Sequence, residues 1–359
     1  MSSPLASRLT VLLALLLAFV LPANGGAASN DEPSAISESI APDDSRTHSY
    51  LILPFEDSAP EPPRDWLREA MSISLGEYFR GAGQRVVERE DRILAMEELS
   101  VPAGAPLTLA TSIKLGRHFA AAQDGPRADR LVVGKFSLDQ GQIIVSARVL
   151  SLDSNRSGPW KEEQGSLKDL LELQRSLSHS LLREDGLSAD SLSAAADDAE
   201  AGGSFPLVAY ESYIRGLIEP APGRQQSLLR KAVEQSPGYP KACFHLGRIL
   251  AKSGKGGEAE AILKKASADP VPYSALYHAL LGSLALDGKR LPEAEAEAGK
   301  SLSLGETAEG RILKARIALS RGDPDTARSE IDRAAALDPE NPDIEAFRRQ
   351  IEKPAGTSR

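Results

Sequence analysis

The second half of the chain repeats itself. Ala232, Ala266 and Ala334 hold the same place in RKAVEQSP, KKASADP and DRAAALDP, each three residues after Leu229, Leu263 and Ile331. Ala259, Ala294 and Ala327 lie 35 and 33 residues apart, and Gly247 and Gly282 lie 35 apart. A period of about 34 residues limits the fold severely. Each unit is a pair of helices that cannot bury its apolar face alone, so the units must stack into a solenoid. Small residues such as Gly247 and Ala259 let paired helices approach, and Leu246 and Leu263 fill the space between them. Pro237, Pro270 and Pro339 follow the second helices, which proline cannot extend. No strand signal survives after Phe205, so this part is predicted to be all-α.

Gly254-Lys255-Gly256-Gly257 invites a different reading, as a phosphate-cradling loop. That loop requires G-x-x-x-x-G-K-[ST]. Here Ile249 stands at the first glycine and Gly256 at the hydroxyl residue. Gly254 is instead the turn between paired helices, as Gly322 is in SRGDPDTA.

The first half reads differently. SYLILPFED opens with a short buried strand, and RDWLREAMSISLGEYFRGAG is a helix closed by Gly81 and Gly83. QRVVERED gives a second strand, and DRILAMEELS and LTLATSIKLGRHFAAA give two helices. ADRLVVGKFSLDQGQIIVSARVLSLD reads as two strands about a turn at Asp139-Gln140-Gly141. SGPWKEEQG adds another strand, and LKDLLELQRSLSHSLLRE closes the region as an amphipathic helix. The expected arrangement is a signal peptide over 1–28, a disordered tether over 29–48 and an α/β or α+β domain over 49–184. A linker over 185–204 and an all-α solenoid over 205–353, ending in a capping helix, complete it.

Arg8 and the apolar run LTVLLALLLAFVLP, followed by small residues, motivate the cleaved leader. An uncleaved membrane anchor over residues 9–22 is the alternative. Either places the protein in the periplasm or outside the cell. A net charge of -9 argues against a nucleic-acid partner. Cys243 is the only cysteine, which excludes an intrachain disulfide.

Tyr210 to Pro339 resembles tetratricopeptide repeats over about four units, carried best by Leu246, Gly247, Ala259, Leu263 and Ala266. The first unit departs in its short, proline-bearing turn, and the third has Ala298 where a large residue is expected. The first half is similar to the TolB amino-terminal-like domain in LILPFED, QRVVERED, ADRLVVGKF and VSARVLSLDSNRSGPW, and VAYESYIRG matches the join. That resemblance implies a mixed sheet with packed helices and a binding role.

No catalytic or metal-binding spacing stands out among His48, His118, His179, His245 and His278, and no cofactor is implied. Asn155 opens an N-R-S sequon. Cys243, at a core position of its unit, reads as a buried inert thiol. What remains is a surface. By repeat register, the first helices should line a groove with Tyr210, Tyr213, Lys241, Phe244, Arg248, Lys252, Leu276, Ile312 and Arg316. Cations beside aromatic and aliphatic residues suit a peptide bearing acidic groups or a free carboxylate. The expectation is an exported, non-enzymatic adaptor that binds a protein or peptide, an envelope component. The alternative is a small-ligand sensor in the α/β domain coupled to the solenoid.

Overall fold

The computed structural model describes residues 47–58, 64–102, 107–122, 126–154, 156–188, 192, 205–266, 269–270, 272–339 and 341–352. The expected signal peptide, Asn155, nearly all of the tether and most of the linker lie outside these residues. Among the described residues no helix is long and apolar enough to cross a membrane.

The first half is built on strands β1 (Ser49–Ile52), β2 (Glu56–Asp57), β3 (Arg85–Val86), β4 (Arg130–Asp139), β5 (Gln142–Ser151) and β6 (Lys161–Ser166). They form one sheet in the order β3-β1-β4-β5-β6, with β2 pairing on β4. β1 runs parallel to β3 and β4, whereas β4, β5 and β6 form an antiparallel meander. The turn between β4 and β5 is Gln140-Gly141, both at positive φ. Two such residues match the right-handed twist of the strands they join.

Alternation along the strands sorts side chains to two faces. Tyr50, Ile52, Val132, Phe136, Ile143, Val145 and Ala147 pack on helices α1 (Asp65–Gly81) and α4 (Leu170–Glu184). Leu51, Leu53, Leu131 and Leu150 pack on α2 (Arg89–Glu98) and α3 (Leu109–Ala121). Gly134 is needed where β4 passes under Phe55, since a Cβ there would run into the ring. Asp185, at the expected start of the linker, is tied back to the sheet. It accepts from the Tyr50 hydroxyl at 2.7 Å and from Arg130 Nε at 3.0 Å.

Among its described residues the second half has helices and no strand. The pairs are α5 (Leu207–Ile218) with α6 (Pro222–Gln235), and α7 (Pro240–Lys252) with α8 (Gly256–Leu263). They are followed by α9 (Ser274–Asp287) with α10 (Leu291–Leu304), and α11 (Ala308–Ser320) with α12 (Pro324–Leu337). α13 (Pro342–Glu352) packs on the last pair through Ile344, Phe347 and Ile351. Proline at the start of α6, α7 and α12 suits the first turn, where its missing N–H has no partner to lose.

Gly254 and Gly322 turn the chain between paired helices at φ of 74° and 78°. In the third unit the equivalent left-handed residue is Lys289 at φ 59°, not its neighbour Gly288. One expectation needs correction. α8 ends at Leu263, so Ala266 follows the helix and is only partly buried, unlike Ala232 and Ala334. The chain beyond α8 brings the Asp269 carboxylate to His278 Nε2 at 3.0 Å, and Glu297 holds the other ring nitrogen at 2.6 Å.

The two halves do not pack as separate bodies. The described residues form one compact unit. The core that begins under the sheet runs without a break through α1 into α5, α6, α7 and α8. The cause lies on α1. Trp66, Ala70, Ser74 and Glu77 fall at i, i+4, i+8 and i+11, a single stripe of the helix. That stripe meets the solenoid.

Candidate partner-binding groove

The first helix of each unit carries the residues that the repeat register assigns to the groove. α5 presents Tyr210 and Tyr213, α7 presents Lys241, Phe244, Arg248 and Lys252, α9 presents Leu276, and α11 presents Ile312 and Arg316. Their fates differ sharply.

Tyr210 and Tyr213 are buried, and so is Phe244. None of the three is open to a partner, because α1 and neighbouring aromatic rings cover them. The Tyr210 hydroxyl lies 2.6 Å from Ser74 Oγ and donates to Gln174 Oε1 at 3.1 Å, while the Trp66 ring meets its ring edge-on at 6.5 Å. Tyr213 donates to Glu77 Oε1 at 3.1 Å, and Tyr273 donates to the same oxygen at 3.3 Å. Lys241 Nζ donates to Glu77 Oε2 at 2.6 Å. Glu77 is itself only 6% exposed.

The groove therefore already holds a carboxylate, and it comes from the chain's own α1. A buried carboxylate is tolerable only when paired and hydrogen-bonded. Here one ammonium and two phenols do this. Burial, and then the Glu77 charge, hold the Tyr213, Tyr239 and Tyr273 phenols well above their ordinary range. They stay protonated and can go on donating. The rings around them are continuous. Phe205 stacks on Tyr239 at 4.0 Å, Tyr239 leans on Tyr213 at 5.2 Å, and Phe244 stacks on Tyr273 at 5.3 Å.

His245 sits inside this cluster, its ring 5.7 Å from Tyr213, 5.0 Å from Tyr273 and 5.1 Å from Phe244. Its Nε2 is sealed from solvent without a hydrogen-bond partner. Burial, reinforced by the positive charges of Arg248 and Lys241, pushes its pKa down to about 3. In the unfolded chain an imidazole titrates near ~6.5. Between those values the unfolded chain binds the extra proton, so stability falls as pH drops through that window. Moving from pH 7 to pH 5 should destabilise the wild type by about 2 kcal/mol more than His245→Phe, measured by urea denaturation. The same pH dependence in both proteins would mean that the ring is not sealed.

The rest of the groove is open to differing degrees. Arg248 is exposed and lies over the Phe244 ring at 5.9 Å. Lys252 is exposed one turn further on. Among the described residues, neither has a carboxylate within ion-pair distance. Leu276 is partly buried, and Ile312 is buried. Arg316 pairs with Asp287 at 2.5 Å, which ties α11 to the end of α9.

Glu77, Ser74, Tyr239, Tyr273 and His245 complete the arrangement and were not expected from the sequence. The one signal available was the α1 stripe, whose Trp66 and Ala70 continue into two polar residues.

Residues 226–284 match the tetratricopeptide repeat family. The match runs from α6 into α9. Gly216, Gly247 and Gly282 stand at equivalent places in successive repeats. A Cβ on Gly216 would sit 2.8 Å from Leu229, and one on Gly247 would sit 2.7 Å from Leu263. Cys243, buried in the repeat core, has its thiol pushed up to about 11 by burial, which suits an inert side chain.

No curated protein matches the chain in sequence. Among solved structures, the chain is similar to PilF of Pseudomonas aeruginosa at 17% identity and a TM-score of 0.33, covering 51% of this chain and 90% of that one. It is also similar to a tetratricopeptide repeat protein of Thermus thermophilus at 19% identity and a TM-score of 0.29, covering 40% of this chain and 98% of that one. A third likeness is to the LpoB C-terminal domain of Salmonella enterica, at 11% identity and a TM-score of 0.28, covering 34% and 87%.

Proposed function

We propose that the protein is an exported, non-enzymatic adaptor whose tetratricopeptide repeats bind an acidic protein or peptide segment, with an envelope component as the partner. Arg8 and the apolar run behind it support export. The TolB-like motifs of the first half support a binding role there too. The observation that carries the reading is the chemistry of one helix face. Lys241, Arg248 and Lys252 fall at i, i+7 and i+11 on α7, so they share a face. Lys241 already holds a carboxylate, that of Glu77. Arg248 and Lys252 continue the same face without one, and both are exposed.

A second acidic group would bind there without displacing α1. Arg248→Ala should remove a charge-assisted hydrogen bond and weaken the partner by about 1.5–3 kcal/mol, or roughly tenfold or more. Raising salt should shrink the difference, because an exposed site is partly screened. Stability should hardly move, since the guanidinium lies outside the core. The measurement is the affinity of full-length wild type and Arg248→Ala for acidic peptides selected on the wild type, at two salt concentrations. Equal affinities would place the binding surface elsewhere.

A further inference from the structure

The α/β half has an opening of its own, remote in chemistry from the groove. β1 lies between β3 and β4, and all three run parallel. From β1 the chain reaches β3 through α1, on one face of the sheet. From β3 it reaches β4 through α2 and α3, on the other face. The two connections part at the carboxyl end of β1. In open sheets with parallel strands, such a switch point leaves a crevice in which ligands bind.

A cavity of about 630 Å³ opens there. That volume falls in the usual range for small-molecule sites, roughly 300–1,000 Å³. Leu53, Leu109 and Val133 give it apolar walls, and Trp160, 45% exposed, stands at its edge.

Two cations converge on that tryptophan. Arg148 Cζ lies 4.7 Å and Lys135 Nζ 5.5 Å from the ring centroid. Two positive groups on one ring repel each other, and the ring quadrupole offsets only part of this. Among the described residues, neither has a carboxylate within ion-pair distance. Arg148 Nε is sealed from solvent and has no hydrogen-bond acceptor. Buried donors are nearly always satisfied, so an orphan on a cavity wall points to a missing acceptor. The other two cations of the cavity are already matched, Arg64 with Asp57 at 3.1 Å and Arg68 with Asp65 at 3.6 Å. Glu56 is the remaining acid on the lining, and it is exposed.

We propose that this cavity binds a small amphiphilic organic anion. Its acidic group lies between Arg148 and Lys135, and its flat apolar body lies against Trp160 and Leu109. The cations supply charge-assisted hydrogen bonds, and the tryptophan supplies a surface for stacking.

The test uses the full-length protein and three probes of one shape: 2-naphthoate, 2-naphthyl phosphate and the uncharged 2-naphthamide. Calorimetry gives affinity, and the Trp160 indole N–H resonance reports the place. At least one of the two anions should bind below about 1 mM and shift that resonance. The anion that binds more tightly identifies the acid group preferred. The amide should bind at least tenfold more weakly, and Arg148→Met and Lys135→Met should each weaken the anion at least tenfold. Both variants alter side chains that line the cavity, and thermal melting confirms that each remains folded. The proposal is overturned if neither anion binds below about 1 mM, if the amide matches them, or if binding survives both substitutions unchanged.

Discussion

Replacing Lys241 with methionine should destabilise the folded protein by about 3 kcal/mol or more, although the lysine is itself partly exposed. The loss would come from Glu77. Without the ammonium at 2.6 Å, its carboxylate stays buried between α1 and the tyrosines with no opposite charge. The two phenol donors remain, which limits the effect. Removing the charge from both partners should recover much of the loss, because the penalty belongs to the orphaned ion and not to the missing contact. Urea denaturation of Lys241→Met, Glu77→Gln and the double variant measures this. A double variant no better than Lys241→Met alone would mean that Glu77 is hydrated in solution.

Gly247→Leu should cost about 3 kcal/mol, the upper end for overpacking a core. The added Cβ alone would meet Leu263 at 2.7 Å, and Leu263 is fully buried. The pair α7 and α8 would have to separate. Because repeats stabilise one another through nearest neighbours, the damage should spread to the pairs on either side. Hydrogen exchange would show faster opening in α5 and α9 as well as in α7. Loss confined to α7 and α8, or an unchanged thermal midpoint, would contradict this packing.

Much of this architecture was legible in the sequence, and the reason is physical. A close helix contact demands a small residue, so Gly247, Ala259 and Ala294 betray the period directly. The turn at Gln140-Gly141 announced the β4–β5 hairpin, since glycine readily takes positive φ. The groove was legible only in part. Register placed Lys241, Phe244 and Arg248 on one helix and suggested an acidic ligand. It could not show that the first acid to arrive is Glu77, 164 residues from Lys241. A glutamate on an amphipathic helix reads as solvated, because local pattern carries no information about a partner so distant. The same limit applies to the contact between α1 and α5. Nothing local to α1 says that its Trp66–Glu77 stripe meets α5 rather than water. The switch-point cavity was missed for a related reason, since Lys135, Arg148 and Trp160 lie on three different segments.

The central claim is that sheet and repeats share one core through α1. The chain offers one reporter in each half. Trp66 lies on α1, and with Trp160→Phe it becomes the only tryptophan. Cys243, the only cysteine, is buried in the repeats. Unfolding in urea can be followed by Trp66 fluorescence and by thiol labelling of Cys243 in the same protein. A shared core predicts one transition, with the two midpoints coinciding. Two separated transitions, with one reporter released while the other stays native, would contradict it.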